Sequence, residues 1–274
     1  VACLYPDLTA NQMEFLLLHS EAVVVVCEDQ EQVDKVLDLE PKLAAVHSIV
    51  CWDNRGMWKY DHPKLQSFEQ VQANGRARSE RNPAEIDAAI AAGSGEDIAV
   101  LSYTSGTTGL PKACMLTHRY WLTLSRVAAM RANGVVRNVL AAQPFYYMDP
   151  QWLLLMAMRL RGTLFVAAKA SGTNFLDWIR KYGIEYCIFP QIVLKQPPRP
   201  DDATLPLKIA SVFGLRKTMH AELEARFNVI ARESFGMTEV GSALYTPYGA
   251  TSMVGSGTCG IPSPFREATI RDED

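Results

Sequence analysis

The sequence predicts an α/β fold made of two mostly parallel sheet lobes with crossover helices, followed by the beginning of a β-rich region. Three features predict it. Short apolar runs alternate with amphipathic stretches from residue 9 onward, the rhythm of a parallel sheet wound with helices. A second series of the same kind starts after His118, with no repeat of the sequence itself. From Ser242 onward glycines and prolines multiply and the strand-like segments shorten.

Thr9 with Gln12 three residues on marks a capped helix start. A strand over 22–27, a helix over 30–39 and a strand over 45–51 continue the alternation. Residues 53–63 are polar and irregular, and 75–83 are charged with a glycine, so both are expected to be surface loops. Strands are expected at 98–103 and 113–116, with a helix from His118 to Asn133. Then come a strand at 139–143, a helix at 150–160, a strand at 163–167, a helix at 175–182 and a strand at 186–189. Strands at 209–212 and 229–232 bracket a helix containing Thr218 to Arg226. The expected organisation is a first lobe over 1–130, a second over 131–241 and the start of the β-rich part over 242–274.

A chain of 274 residues with net charge -3 can bury one large core or two modest ones. It carries no basic field for nucleic acid, so no DNA or RNA partner is expected and any phosphate binding must be local. The six cysteines are scattered, without a C-x-x-C pair, and read as reduced residues of a cytoplasmic protein, not as zinc ligands or disulfides. The most apolar region, WLLLMAMRLRGTLFVAAKA, is broken by Arg159 and Arg161 before it could span a bilayer, so a soluble protein is expected. The chain opens on Val1 and stops at IRDED without a closing element, as expected of a piece of a longer protein.

The chemistry concentrates in VLSYTSGTTGLPKACMLTH, residues 100–118. Hydroxyl-rich loops usually bond their own backbone, but this one links two apolar strands. Gly106 and Gly109 allow backbone N–H groups to turn toward an anion, the hydroxyls of Thr104, Ser105, Thr107 and Thr108 add neutral donors, and Lys112 brings a point charge. A polyphosphate, ATP above all, suits such a grip. Lys112 stands between Pro111 and Ala113, so the Gly-Lys-Ser/Thr ending of a Walker loop is missing, and no G-x-G-x-x-G opens a helix after an early strand.

The loop TSGTTGLPK resembles the signature of the adenylate-forming enzymes, the superfamily of acyl-CoA synthetases, peptide-synthetase adenylation domains and luciferases. ESFGMTEVG, residues 233–241, resembles its second motif, and the resemblance implies magnesium on Glu239, the α-phosphate on Thr238 and adenine stacked near Phe235, with Gly236 and Met237 among the ATP-binding residues. A hard cation prefers carboxylate oxygen, which agrees. Gly214 stands where the family has its adenine-facing turn, although Leu215 and Arg216 depart from the usual pattern. In QPFYYMDPQW, Tyr146 and Tyr147 replace an aromatic-His pair beside the acyl tunnel; with Trp152 they are the expected acyl-binding residues. TCGIPSP resembles the turn entering the family's β-rich region, with Phe265 in place of a common glycine.

The resemblance runs along essentially the whole chain and is nearest to the acyl-CoA synthetase branch, similar to crotonobetaine/carnitine-CoA ligases. It implies a central fragment of the large N-terminal domain, with the C-terminal lid absent. The activity implied is ATP-dependent conversion of a carboxylic acid to an acyl adenylate and then to a coenzyme A thioester, as in fatty acid metabolism. Thr238, Glu239 and Lys112 would act on the reacting phosphates. Two other outcomes are a nucleotide-binding fragment without turnover, which pairs with missing segments or with a second copy, and a P-loop NTPase. The second lacks its Gly-Lys-Ser/Thr.

Overall fold

The computed structural model describes residues 1–104, 110–132 and 134–272, and they form two compact units, Val1–Tyr103 and Thr104–Asp274. In the first, α1 (Ala10–His19) precedes β1 (Val24–Cys27), α2 (Gln30–Leu39), β2 (Ser48–Cys51), β3 (Leu65–Ser67), α3 (Phe68–Arg81), α4 (Glu85–Ala92) and all but the last residue of β4 (Ile98–Thr104). β1, β2 and β3 form a parallel sheet in that order, with Cys27 opposite Cys51. Met13 and Leu17 of α1, Val33, Val36 and Leu39 of α2, and Ile49 of β2 share one apolar cluster. The helix start expected at Thr9 is there: Gln12 N–H donates to Thr9 Oγ1 at 3.4 Å and Thr9 N–H to Gln12 Oε1 at 3.0 Å.

The second unit contains β5 (Lys112–Thr117), α5 (His118–Ala132), β6 (Asn138–Ala141), α6 (Met148–Arg159), β7 (Thr163–Val166), α7 (Phe175–Tyr182) and β8 (Tyr186–Ile188). β9 (Ile209–Val212), α8 (Lys217–Phe227), β10 (Ile230–Met237), β11 (Gly241–Tyr245) and β12 (Ile261–Pro262) follow. Five strands run parallel in the order β7-β6-β8-β9-β10, and β11 and β12 extend the sheet antiparallel. The chain steps outward from β6 to β7 and returns past β6 to β8. Right-handed crossovers therefore put α6 on one face and α7 on the other. α7 and α8 accordingly share a core, with Phe175, Leu176, Ile179, Leu223 and Phe227 packed on Cys187, Ala210 and Val212.

The α/β class and its parallel strands are as expected from the sequence. The loop expected over 75–83 is a correction, because α3 runs through Gly75 to Arg81. A helical glycine costs about 1 kcal/mol. Here a capping box offsets it, with Gln70 N–H on Ser67 Oγ at 3.1 Å and Ser67 N–H on Gln70 Oε1 at 2.7 Å. β10 also runs five residues beyond the strand end expected at Arg232, to Met237, because its last residues pair with β11. Among the described residues, no helix is long and apolar enough to cross a membrane.

Candidate active site

Ligands of open α/β sheets sit beyond the C-terminal ends of the strands, near the point where the strand order reverses. In the second unit that point lies between β6 and β8. Three of the segments singled out in the sequence leave the sheet at this same end: residues 143–152 follow β6, Gly214 follows β9, and Phe235 to Glu239 close β10.

β5 leads straight into α5, because Thr117 Oγ1 accepts the N–H of Tyr120 at 3.2 Å and orders the first helical turn. His118 begins that helix. Lys112, exposed at the start of β5, and Cys114 project from the same face of the strand two residues apart. Burial pushes the Cys114 thiol up, the neighbouring Glu239 carboxylate pushes it further, and the Thr104 side chain draws it down. Cys114 therefore has Thr104 and Glu239 as neighbours, with Lys112 on the same face of its strand. Ser105, Gly106, Thr107, Thr108 and Gly109 lie outside the described residues.

The turn that carries Thr238 and Glu239 is a tight hairpin between β10 and β11. Its register shifts between Phe235 and Gly236, and a Cβ on Gly236 would fall 2.5 Å from the Gly241 carbonyl oxygen, so the strands approach here only without a side chain. Gly241 closes the turn at φ +70°, the left-handed conformation that a three-residue hairpin loop demands. Val240 N–H donates to Met237 O at 3.2 Å, Arg266 to Val240 O at 2.9 Å, and Tyr120 Oη to Thr238 O at 3.0 Å. Glu239 is exposed at the tip, and the Phe235 and Met237 side chains are half exposed, at 50% and 47%.

At the β9 end, both Glu233 carboxylate oxygens are taken up by backbone. One accepts Gly214 N–H and the other Leu215 N–H at 2.9 Å. Gln191 Nε2 donates to Gly214 O at 2.8 Å from the other side. Burial pushes the Glu233 carboxyl upward against these bonds. The turn bearing Gly214 is thus held by a carboxylate four residues into β10.

Beyond β6, the Tyr146 and Tyr147 rings stand 4.7 Å apart, and Tyr147 is 44% exposed at the start of α6. Trp152 lies differently: it is buried, and its Nε1–H donates to Asp149 Oδ1 at 2.9 Å. Burial pushes the Asp149 carboxyl up despite bonds from Trp152 and Gln143.

A family model described as AMP-binding enzyme matches residues 1–274. The chain belongs to the AMP-binding enzyme family. It is 30% identical over 259 residues to the long-chain fatty acid transport protein 5 of Mus musculus, an alignment covering 89% of this chain and 35% of that one. It is also 30% identical over 195 residues to the 4-coumarate–CoA ligase of Pinus taeda, covering 64% and 35%. The luciferase-like enzyme of the mealworm Zophobas morio shares the fold, at TM-score 0.74 and 19% identity over 95% of this chain and 60% of that one. This AMP-binding chain spans about a third of the length of the curated relatives it matches.

Tyr120, Cys114, Glu233 and Asp149 have no expected role in the sequence analysis. Glu233 and Asp149 stand inside the quoted motifs, beside residues already singled out, so their positions were in view. Nothing in the sequence pairs Tyr120 with Thr238, and the signal appears only when α5 is laid against β11.

Among the described residues no group of three His, Cys, Asp or Glu side chains could hold a metal alone. His220, buried in α8, is satisfied structurally: Nε2–H donates to Ala231 O at 2.8 Å and Nδ1 accepts Gly255 N–H at 3.1 Å.

Proposed function

We propose that the protein activates a carboxylic acid with ATP and then passes the acyl group to the thiol of coenzyme A. The observation that supports this most directly is the grouping of Glu239, Cys114 and Thr104 on the face of β5 that carries Lys112, in a chain of the AMP-binding family. The relatives named as CoA ligases support the thiol acceptor.

In this reading an oxygen of the substrate carboxylate attacks the α-phosphorus, and the bond to the β-phosphate oxygen breaks to release pyrophosphate. The coenzyme A sulfur then attacks the acyl carbonyl, the thiol gives up its proton, and AMP leaves. Lys112 and the hydroxyls of the preceding loop, with Thr104 the first, hold the phosphates. Thr238 meets the α-phosphate, and Phe235, Gly236, Met237 and Gly214 flank the adenine. Glu239 fits magnesium, because it is an exposed carboxylate, a hard oxygen donor, beside the Cys114 thiol on the strand that carries Lys112. Held there by Glu239, magnesium would supply charge neutralisation on the phosphates. Catalysis by these residues is positioning and electrostatic complementarity to the transition state.

The acid enters beside Tyr146 and Tyr147, at the reversal of strand order. Their paired rings suit either an aromatic acyl group or the quaternary ammonium of a betaine acid. Trp152 does not join them: it is buried, its Nε1–H is committed to Asp149 and its ring stands edge-on to Tyr186, so it serves packing and not the acyl group.

The test is carboxylate-dependent exchange of labelled pyrophosphate into ATP, measured on the full reading frame that carries this chain and on Glu239→Gln in it. Exchange that falls about 100-fold in the variant, with its circular dichroism unchanged, is expected. Unaltered exchange by Glu239→Gln refutes the assignment of Glu239. Binding of ATP without exchange for any acid of a betaine, short-chain, aromatic and long-chain panel refutes the activation reaction.

A further inference from the structure

We infer that Tyr120 is a positioning residue for the Thr238–Glu239 turn, which its hydroxyl holds through the Thr238 main-chain carbonyl. The inference rests on the activation reaction proposed above and adds a residue that lies outside both motifs. Tyr120 is itself fixed before it touches the turn. Its N–H is tied to Thr117 Oγ1 at 3.2 Å, and its ring stands edge-on to Trp121 with centroids 5.3 Å apart.

From that base the hydroxyl donates to Thr238 O at 3.0 Å, and the ring lies against Gly241, where a Cβ would come within 3.3 Å of Oη. The two ends of the hairpin loop are thus held by one side chain. Arg266 holds the middle through Val240 O at 2.9 Å. Glu239 lies between these anchors, with the Cys114 thiol as neighbour. β5, which carries Lys112, continues into the helix that carries Tyr120. The hydroxyl therefore ties the metal-side carboxylate to the strand of the phosphate-side lysine. A small misplacement of either group is costly when catalysis is positioning.

Removing the hydroxyl while keeping the ring separates this role from packing. Calorimetry measures ATP affinity with and without Mg2+ on the full reading frame, its Tyr120→Phe and Glu239→Gln variants, and the double variant. Magnesium is expected to tighten ATP binding in the unaltered protein, and Glu239→Gln to abolish that gain. Tyr120→Phe is expected to cut the gain about two- to tenfold, the value of one hydrogen bond, beyond any smaller loss of metal-free ATP affinity that passes through Thr238. The double variant should behave as Glu239→Gln alone, because Tyr120 acts through the turn.

Equal weakening by Tyr120→Phe with and without magnesium, loss of its fold, or a magnesium gain equal to that of the unaltered protein would each overturn the positioning role. Failure of the parent reading looks different: the unaltered protein and Glu239→Gln would then bind ATP alike with magnesium present, and the inference would fall with it.

Discussion

Asp202→Asn is expected to cost the second unit about 3 kcal/mol at pH 7. Asp202 is 2% exposed and lies between two guanidinium groups, with Arg226 Nε on Oδ2 at 2.8 Å and Arg180 Nη2 on Oδ1 at 2.9 Å, while Arg199 N–H donates to Oδ2 at 3.0 Å. Removing one member of a buried ion pair costs about 3 to 5 kcal/mol, because the remaining charge stays desolvated and uncompensated. The lower end applies here. Arg226 keeps the carbonyls of Leu194, Gln196 and Pro197, at 3.2, 2.9 and 3.1 Å, and Arg180 keeps Asp201 at 2.5 Å.

The pH dependence has a definite sign. Burial, the largest influence on Asp202, pushes its carboxyl up, but the Arg199 N–H and the Arg226 and Arg180 side chains outweigh it and hold the group below its ordinary value of 3.8. A depressed carboxyl stabilises the fold above the unfolded value, and the contribution disappears as pH falls through the folded value. Urea unfolding followed by far-ultraviolet circular dichroism at pH 7 and again near pH 3 measures the gap. A difference of less than about 1 kcal/mol at pH 7, or one that grows on acidification, would refute the reasoning. The consequence reaches the site through α8, since the clamp fixes the helix that follows the Gly214 turn.

Asp149 has the opposite sign. Burial holds its carboxyl above the ordinary value of 3.8, so the folded chain binds the proton more tightly than the unfolded one, and ionisation costs stability as pH rises through that window. Asp149→Asn keeps an oxygen for Trp152 Nε1–H, so its stability relative to the unaltered protein should rise between pH 4 and pH 7; a falling difference in urea unfolding contradicts this. Gly236→Ala places a methyl 2.5 Å from the Gly241 carbonyl oxygen and should destabilise the hairpin by about 1 to 3 kcal/mol. An unchanged melting temperature would show that β10 and β11 can separate there without cost.

Local signals in the sequence were sufficient for the elements that local forces decide. Thr9 with Gln12 announces α1, and the apolar spacing of 175–182 marks α7 over its full extent. α3 was not legible because two local signals compete in it: Gly75 and its charged neighbours argue for a loop, while the Ser67–Gln70 box argues for a helix, and the box prevails. At the site, the residues that meet phosphate or adenine in the proposed reaction stand in contiguous motifs. Their supports do not, since Tyr120 reaches Thr238 only when α5 packs on the β10–β11 hairpin, and Glu233 reaches Gly214 only when β9 and β10 pair in parallel.

That separation between contacting residues and supporting ones has a physical cause. A group that must face a ligand is best placed on a short turn just past a strand, where backbone N–H groups and side chains point outward. Such a turn is mobile unless something on a rigid element holds it. β10 shows both sides of the solution. Its buried residues anchor the strand, with Arg232 2% exposed and donating to Tyr248 O at 2.8 Å, while its last residues leave the core at the Phe235–Gly236 bulge. The bulge breaks the ladder, so the ladder alone cannot fix Glu239, and the hold passes to Tyr120 from α5 and to Arg266 from beyond β12. If Tyr120→Phe loosens the turn while the rest of the sheet stays intact, the rigidity of this site comes from a helix packed on the hairpin and not from the strand that carries the motif.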